Sequence, residues 1–74
     1  MTYKTRLVFL DLYHNRLDVI SNLEPLVNLR VLMLGKNRIR RIEGLARCVR
    51  LSVLDLHGNR ITQVTYVLVQ RILI

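Results

Sequence analysis

A single cysteine, Cys48, is the only thiol in the 74 residues, and one thiol cannot close an internal disulfide. Two histidines, His14 and His57, lie far apart in sequence. They fall short of the roughly four ligands, in paired spacings, that a structural zinc site needs. No cofactor is expected. Apolar residues make up 51% of the chain, yet no run approaches the roughly 18 consecutive positions of a membrane span. Acidic residues are few: five, against 12 lysines and arginines, for a net charge of +7. That balance favours acidic partners without saying of which kind. Met1 to Arg6 is polar and lacks the apolar segment of a signal peptide. Together with the lone thiol, this predicts a cytoplasmic protein. A chain this short has room for one unit, 1–74, whose core is marginal unless it stacks on something.

What the sequence does have is a period. Leu7, Leu29 and Leu51 are 22 residues apart, and the same step relates Leu10, Leu32 and Leu54, then Leu12, Leu34 and Leu56. It continues through Asn15, Asn37 and Asn59, through Leu17, Ile39 and Ile61, and through Ile20, Ile42 and Val64. Leu23, Leu45 and Val67 complete the register, and Leu26 is followed by Cys48. Repeats of about 7–28, 29–50 and 51–72 follow, with no insertion between them.

Each column has a physical reading. The stretch L-x-x-L-x-L alternates in its second half, the mark of a strand with one face buried. Leu10 and Leu12 are predicted to point inward, and Phe9, Asp11 and Tyr13 outward. The asparagine falls where the chain must turn, and its amide can satisfy backbone groups of its own and the neighbouring coil. Ile39, Ile42, Leu45 and Cys48 then follow at steps of three, which predicts a 3₁₀ or short helical return path. One such unit cannot bury its own leucines, whereas stacked units bury them against each other. The fold expected is an α/β repeat solenoid: an arc with a short parallel β-sheet on its concave side and a 3₁₀ or short helical convex side.

The pattern fails at the end of the third period, where Gln70 stands in the slot of Leu26 and Cys48. The stretch from Thr65 to Ile74 suits a helix or an added edge strand equally. Neither end resembles the polar cap with which solenoids finish. The chain therefore reads as part of a longer solenoid, with an apolar C-terminal end, Val67 to Val69 and Ile72 to Ile74, and open coil faces that favour self-association.

The pattern L-x-x-L-x-L-x-x-N-x-I-x-x-I-x-x-L, from Leu7 to Val67, resembles the leucine-rich-repeat family in its 22-residue class, typified by a regulatory subunit of protein phosphatase 1. Within it, LVFLDLYHNRL, LRVLMLGKNRI and LSVLDLHGNRIT are similar to the leucine-rich-repeat subunits of tubulin polyglutamylase complexes. The resemblance implies a non-catalytic scaffold of a microtubule- or cilium-associated complex, at the cytoskeleton, centrosome or cilium, with tubulin or a complex subunit as partner. The alternative it implies is a regulatory module binding an enzyme such as protein phosphatase 1. An RNA-associated basic surface ranks below both.

Two candidate surfaces follow from the period. The outward strand positions are Phe9, Asp11 and Tyr13 in the first coil, Val31, Met33 and Gly35 in the second, and Val53, Asp55 and His57 in the third. Exposed aromatic residues and methionine are favoured at interface cores, and solenoids bind on the concave side. The plainer account is that such residues simply suit strands. Arg16, Arg38 and Arg60 recur directly after the asparagines and predict a basic rim. Arg40 and Arg41 join it, in a second coil whose seven basic residues face Glu43 alone. Guanidiniums in a row can clamp carboxylates or phosphates, although solvated basic fillers at this slot need no ligand. Nucleic acid fits poorly, because Phe9 and Tyr13 lie on another coil and side from most of the arginines.

Catalysis has little to stand on. The two histidines occupy different columns, and no serine or cysteine is placed beside either as a nucleophile. Cys48 stands in a core column as a small hydrophobe, and Gly35–Lys36–Asn37 lacks the surroundings of a phosphate loop. The chain is expected not to be an enzyme.

Overall fold

The computed structural model describes residues 6–64. The expectations for residues 65–74 and for the apolar end from Val67 onward lie outside these residues, as does most of the polar lead-in. Five short strands are described: β1 (Phe9–Asp11), β2 (Val31–Met33), β3 (Arg41–Ile42), β4 (Val53–Asp55) and β5 (Gln63–Val64).

Strands β1, β2 and β4 form a three-stranded parallel sheet in that order. Phe9 pairs with Val31 and Val31 with Val53, so successive strands keep the register of the repeat. The same backbone bonds recur in each coil. The amides of Arg30 and Val31 both donate to the Val8 carbonyl, and those of Ser52 and Val53 both donate to that of Arg30. Beyond the strands, Leu12 donates to Met33 and Leu34 to Asp55, then His14 to Gly35 and Lys36 to His57, each at 2.8 Å.

The alternation places Leu32 and Leu54 inside and their neighbours on the open face. Twelve apolar residues form the core, with Leu29, Leu32, Ile39 and Leu45 fully enclosed. All four belong to the second coil, which has a coil on either side of it. Leu10, Leu12 and Leu17 of the first coil are only partly buried against that core. This is the gradient expected when each unit contacts only its neighbours. Each fully enclosed leucine contributes on the order of 1.5–3 kcal/mol relative to exposure.

The asparagines form the expected ladder. Asn37 Oδ1 accepts the Leu17 amide at 3.0 Å, and its Nδ2 donates to Leu12 of the previous coil and to Leu34 and Gly35 of its own. Asn59 repeats this, accepting from Ile39 and donating to Leu34, Leu56 and His57. Asn15, in the first coil, donates locally, to the carbonyls of Leu12 and Tyr13.

The return path departs from the expectation, since no helix occurs among the described residues. The steps of three do turn Ile39, Ile42, Leu45 and Cys48 inward, but isolated turns hold them, not a helix. Leu26 donates to Leu23, Leu29 to Leu26, Cys48 to Leu45 and Leu51 to Cys48. Two features oppose helical propagation. Asn22 and Gly44, one repeat apart, have φ of 63° and 72°, which interrupts right-handed winding. Pro25 has no amide to donate. Ahead of that break the chain is extended, and β3 pairs with β5 in a second parallel sheet, Arg41 opposite Gln63 and Ile42 opposite Val64.

Candidate protein-binding face and basic cleft

The three strands present one open face. Phe9 is 55% exposed, Tyr13 42% and Val53 45%, and Asp11 and His57 are exposed beside them. Val31, Met33 and Asp55 are half-buried on the same face. Eight of the nine outward residues named from the alternation thus lie exposed or half-buried along the sheet and its strand ends, and the ninth, Gly35, is buried.

The end of that face is organised around Gly35. The Tyr13 and His57 rings, from the coils on either side, lie 5.7 Å apart between centroids and tilted by 35°. A side chain at Gly35 would meet His57 at 2.5 Å and Tyr13 at 3.0 Å, so the absent Cβ lets the two rings approach. Lys36 Nζ stands 5.9 Å from the centre of the Tyr13 ring, within cation–π range. His14 meets Tyr13 edge-on at 6.0 Å.

Two aspartates pin the strand ends. Asp11 Oδ1 accepts the Tyr13 amide at 2.9 Å, and Asp55 Oδ1 accepts the His57 amide at 3.1 Å. His57 Nδ1 also donates to Asp55 Oδ1 at 2.6 Å, which fixes the ring and leaves Nε2 away from the carboxylate. These bonds from the His57 ring and backbone hold the Asp55 carboxyl below the usual carboxylate range. The sequence reading gave Asp11 and Asp55 only as outward residues. The repeated D-L-Y and D-L-H phrases were the available signal, because an aspartate readily bonds the amide two residues on.

Around the turn from the strands, Arg38, Arg40, Arg41 and Arg60 line a cleft of about 440 Å³ with Asp18, Val19 and Glu43. Arg16 is set apart from it, in a separate depression with His14, Asn15 and Arg38. Arg38 borders both. Backbone rungs fix the arginine columns: Arg38 donates to Leu17, Arg60 donates to Ile39, and the Arg40 carbonyl accepts from Thr62 and Gln63. Among the described residues no ion pair joins these arginines to Asp18 or Glu43. The sequence reading gave Glu43 only as the lone acid of its coil and missed Asp18, because both enter from columns that do not repeat their charge: Asp18 precedes Arg40 by one repeat, and Ser21 stands where Glu43 does.

Cys48 is buried, and its thiol lies 3.8 Å from the Leu23 carbonyl. Burial, with Glu24 adding to it, raises its pKa. Among the described residues no group of three or more histidine, cysteine, aspartate or glutamate side chains could hold a metal ion. No helix there is long and apolar enough to cross a membrane.

Tandem parallel strands one repeat apart, joined by an asparagine ladder over a leucine core, define a repeat arc built to present a surface. A family model for leucine-rich repeats in two copies matches residues 5–47 and again 27–67. The chain belongs to the leucine-rich-repeat family, whose repeats generally mediate protein–protein interaction and are typically non-catalytic. No curated protein and no solved structure matches the chain.

Proposed function

We propose that this chain is a non-catalytic segment of a 22-residue-class solenoid that binds a protein partner on the concave, open face of its sheet. Phe9, Tyr13 and Met33 are the anchors, and Asp11, Val31, Val53, Asp55 and His57 complete the contact. The supporting observation is the exposure of Phe9, Tyr13 and Val53 on one sheet face, where hydrogen bonds already fix the strand ends. Aromatic groups held in place before binding lose little side-chain entropy on association, which suits them as anchors.

The sequence resemblance narrows the setting. The proposed role is that of a cytoplasmic scaffold segment in a microtubule- or cilium-associated complex of the tubulin polyglutamylase type. Affinity capture from cell extract with the 74-residue chain, followed by mass spectrometry, tests this beside a Phe9→Ala/Tyr13→Ala/Met33→Ala variant. Capture of tubulin or complex subunits by the unmodified chain, lost with the variant, is the expected outcome. Specific capture of a phosphatase catalytic subunit would instead favour the enzyme-regulating alternative. Identical capture by both chains would remove the open face from the account.

A further inference from the structure

We infer that the cleft around the turn from the sheet is a second binding site, which takes a carboxylate-rich peptide segment of a protein partner. Four arginines, Arg38, Arg40, Arg41 and Arg60, line one cleft, and among the described residues two acids, Asp18 and Glu43, line it with them. Like charges gathered this way repel one another, and among the described residues no ion pair relieves them. The scaffold nevertheless holds them together through backbone bonds that do not depend on the side chains, from Arg38 to Leu17, from Arg60 to Ile39, and from Thr62 to Arg40. An anionic ligand removes the repulsion and gains bidentate pairing with the guanidinium forks.

The arrangement favours several separated carboxylates over a single phosphate. The four arginines come from two coils and three columns of the repeat, and Arg38 and Arg60 stand about one strand spacing apart, roughly 4.8 Å. A run of glutamates or aspartates presents monoanions at comparable intervals, whereas one phosphorylated residue concentrates its charge at a point. Nucleic acid is disfavoured on two grounds. Asp18 and Glu43 oppose a continuous phosphate backbone, and among the described residues no aromatic side chain lines the cleft to stack a base. The same two acids can accept peptide amides, which a carboxylate-rich segment supplies and a phosphodiester chain does not.

The test is fluorescence anisotropy of a labelled oligoglutamate peptide with the 74-residue chain. Oligoglutamine, a phosphoserine peptide and a single-stranded oligonucleotide serve as competitors. Oligoglutamate is expected to bind, to weaken as salt is raised, and to lose affinity about tenfold in an Arg40→Gln/Arg41→Gln variant. An Asp18→Asn/Glu43→Gln variant is expected to bind more tightly, a gain that damage to the fold cannot mimic. The Phe9→Ala/Tyr13→Ala/Met33→Ala variant is expected to bind oligoglutamate unchanged, so this site and the sheet face fail or stand separately. Absence of oligoglutamate binding, or indifference to both cleft variants, would overturn the inference. So would tighter binding of the oligonucleotide or the phosphoserine peptide at the same arginines.

Discussion

Replacing Asn37 by alanine should cost this chain a large part of its stability, and the structure says how much. Asn37 is 6% exposed and takes part in four hydrogen bonds, one accepted and three donated. Its carbonyl partners are not abandoned when it goes. Leu12 keeps the amide of Asn15, Leu34 keeps that of Asn59, and Gly35 keeps the His14 N–H. The group left without its acceptor is the part-buried Leu17 amide. An unsatisfied amide costs about 1–3 kcal/mol, and the shared donor bonds add about 1 kcal/mol more. The expected loss is therefore roughly 2–4 kcal/mol, against a total of about 4–11 kcal/mol for a domain of this length. Asn59→Ala strands the Ile39 amide in the same way and should follow closely, whereas Asn15→Ala removes two exposed local bonds and should cost under about 1 kcal/mol. Urea unfolding of the three variants, followed by far-ultraviolet circular dichroism, measures the series. Equal losses at all three positions, or a loss below about 1 kcal/mol at Asn37, would refute the ladder as a stabilising element.

Gly44→Ala should destabilise by about 2 kcal/mol or more, because φ is 72° and the new Cβ would meet the Ile20 carbonyl oxygen at 2.5 Å. Gly58→Ala should cost only about 1 kcal/mol, since Lys36 and His14 already hold a positive φ one and two repeats earlier; thermal melts that reverse this order would count against the geometry. Asp55 should contribute stability that is fully present above the ordinary carboxylate range and lost as pH falls through its lowered native value. The difference in melting temperature between the unmodified chain and Asp55→Asn should therefore shrink on acidification below about pH 4, and a constant gap would contradict it. The Cys48 thiol should resist alkylation in the folded chain and react on unfolding. Because its native pKa is raised, stability should decline as pH climbs through and above the ordinary thiol range of about 8.5. Cys48→Ala should remove that alkaline decline.

The sheet was readable from the sequence because alternation and a fixed period constrain each other. Once Leu10, Leu32 and Leu54 share a column, the outward places of Phe9, Val31 and Val53 follow. The ladder was equally accessible, since an asparagine that recurs at a turn has few other uses. The return path was misread because steps of three suit both a helix and a chain of separate turns. What separates them is backbone conformation at Asn22 and Gly44, a column whose two residue types share a tolerance for positive φ and little else. The second sheet was missed for a similar reason: two-residue strands leave no alternation to detect. At the site, periodic columns exposed the arginines, but Asp18, Glu43 and the Tyr13–His57 approach depend on residues that break the period. Gly35 shows this most clearly. In its own column it stands between a tyrosine and a histidine, and only the packing reveals that it makes room for both.

The most direct test of partner binding through the open sheet face is oxidative footprinting of the captured complex, because that face carries two readily oxidised side chains, Tyr13 and Met33. The account predicts that both are oxidised in the free chain and protected in the complex. Protection confined to residues around the turn, with Tyr13 and Met33 oxidised as in the free chain, would contradict it.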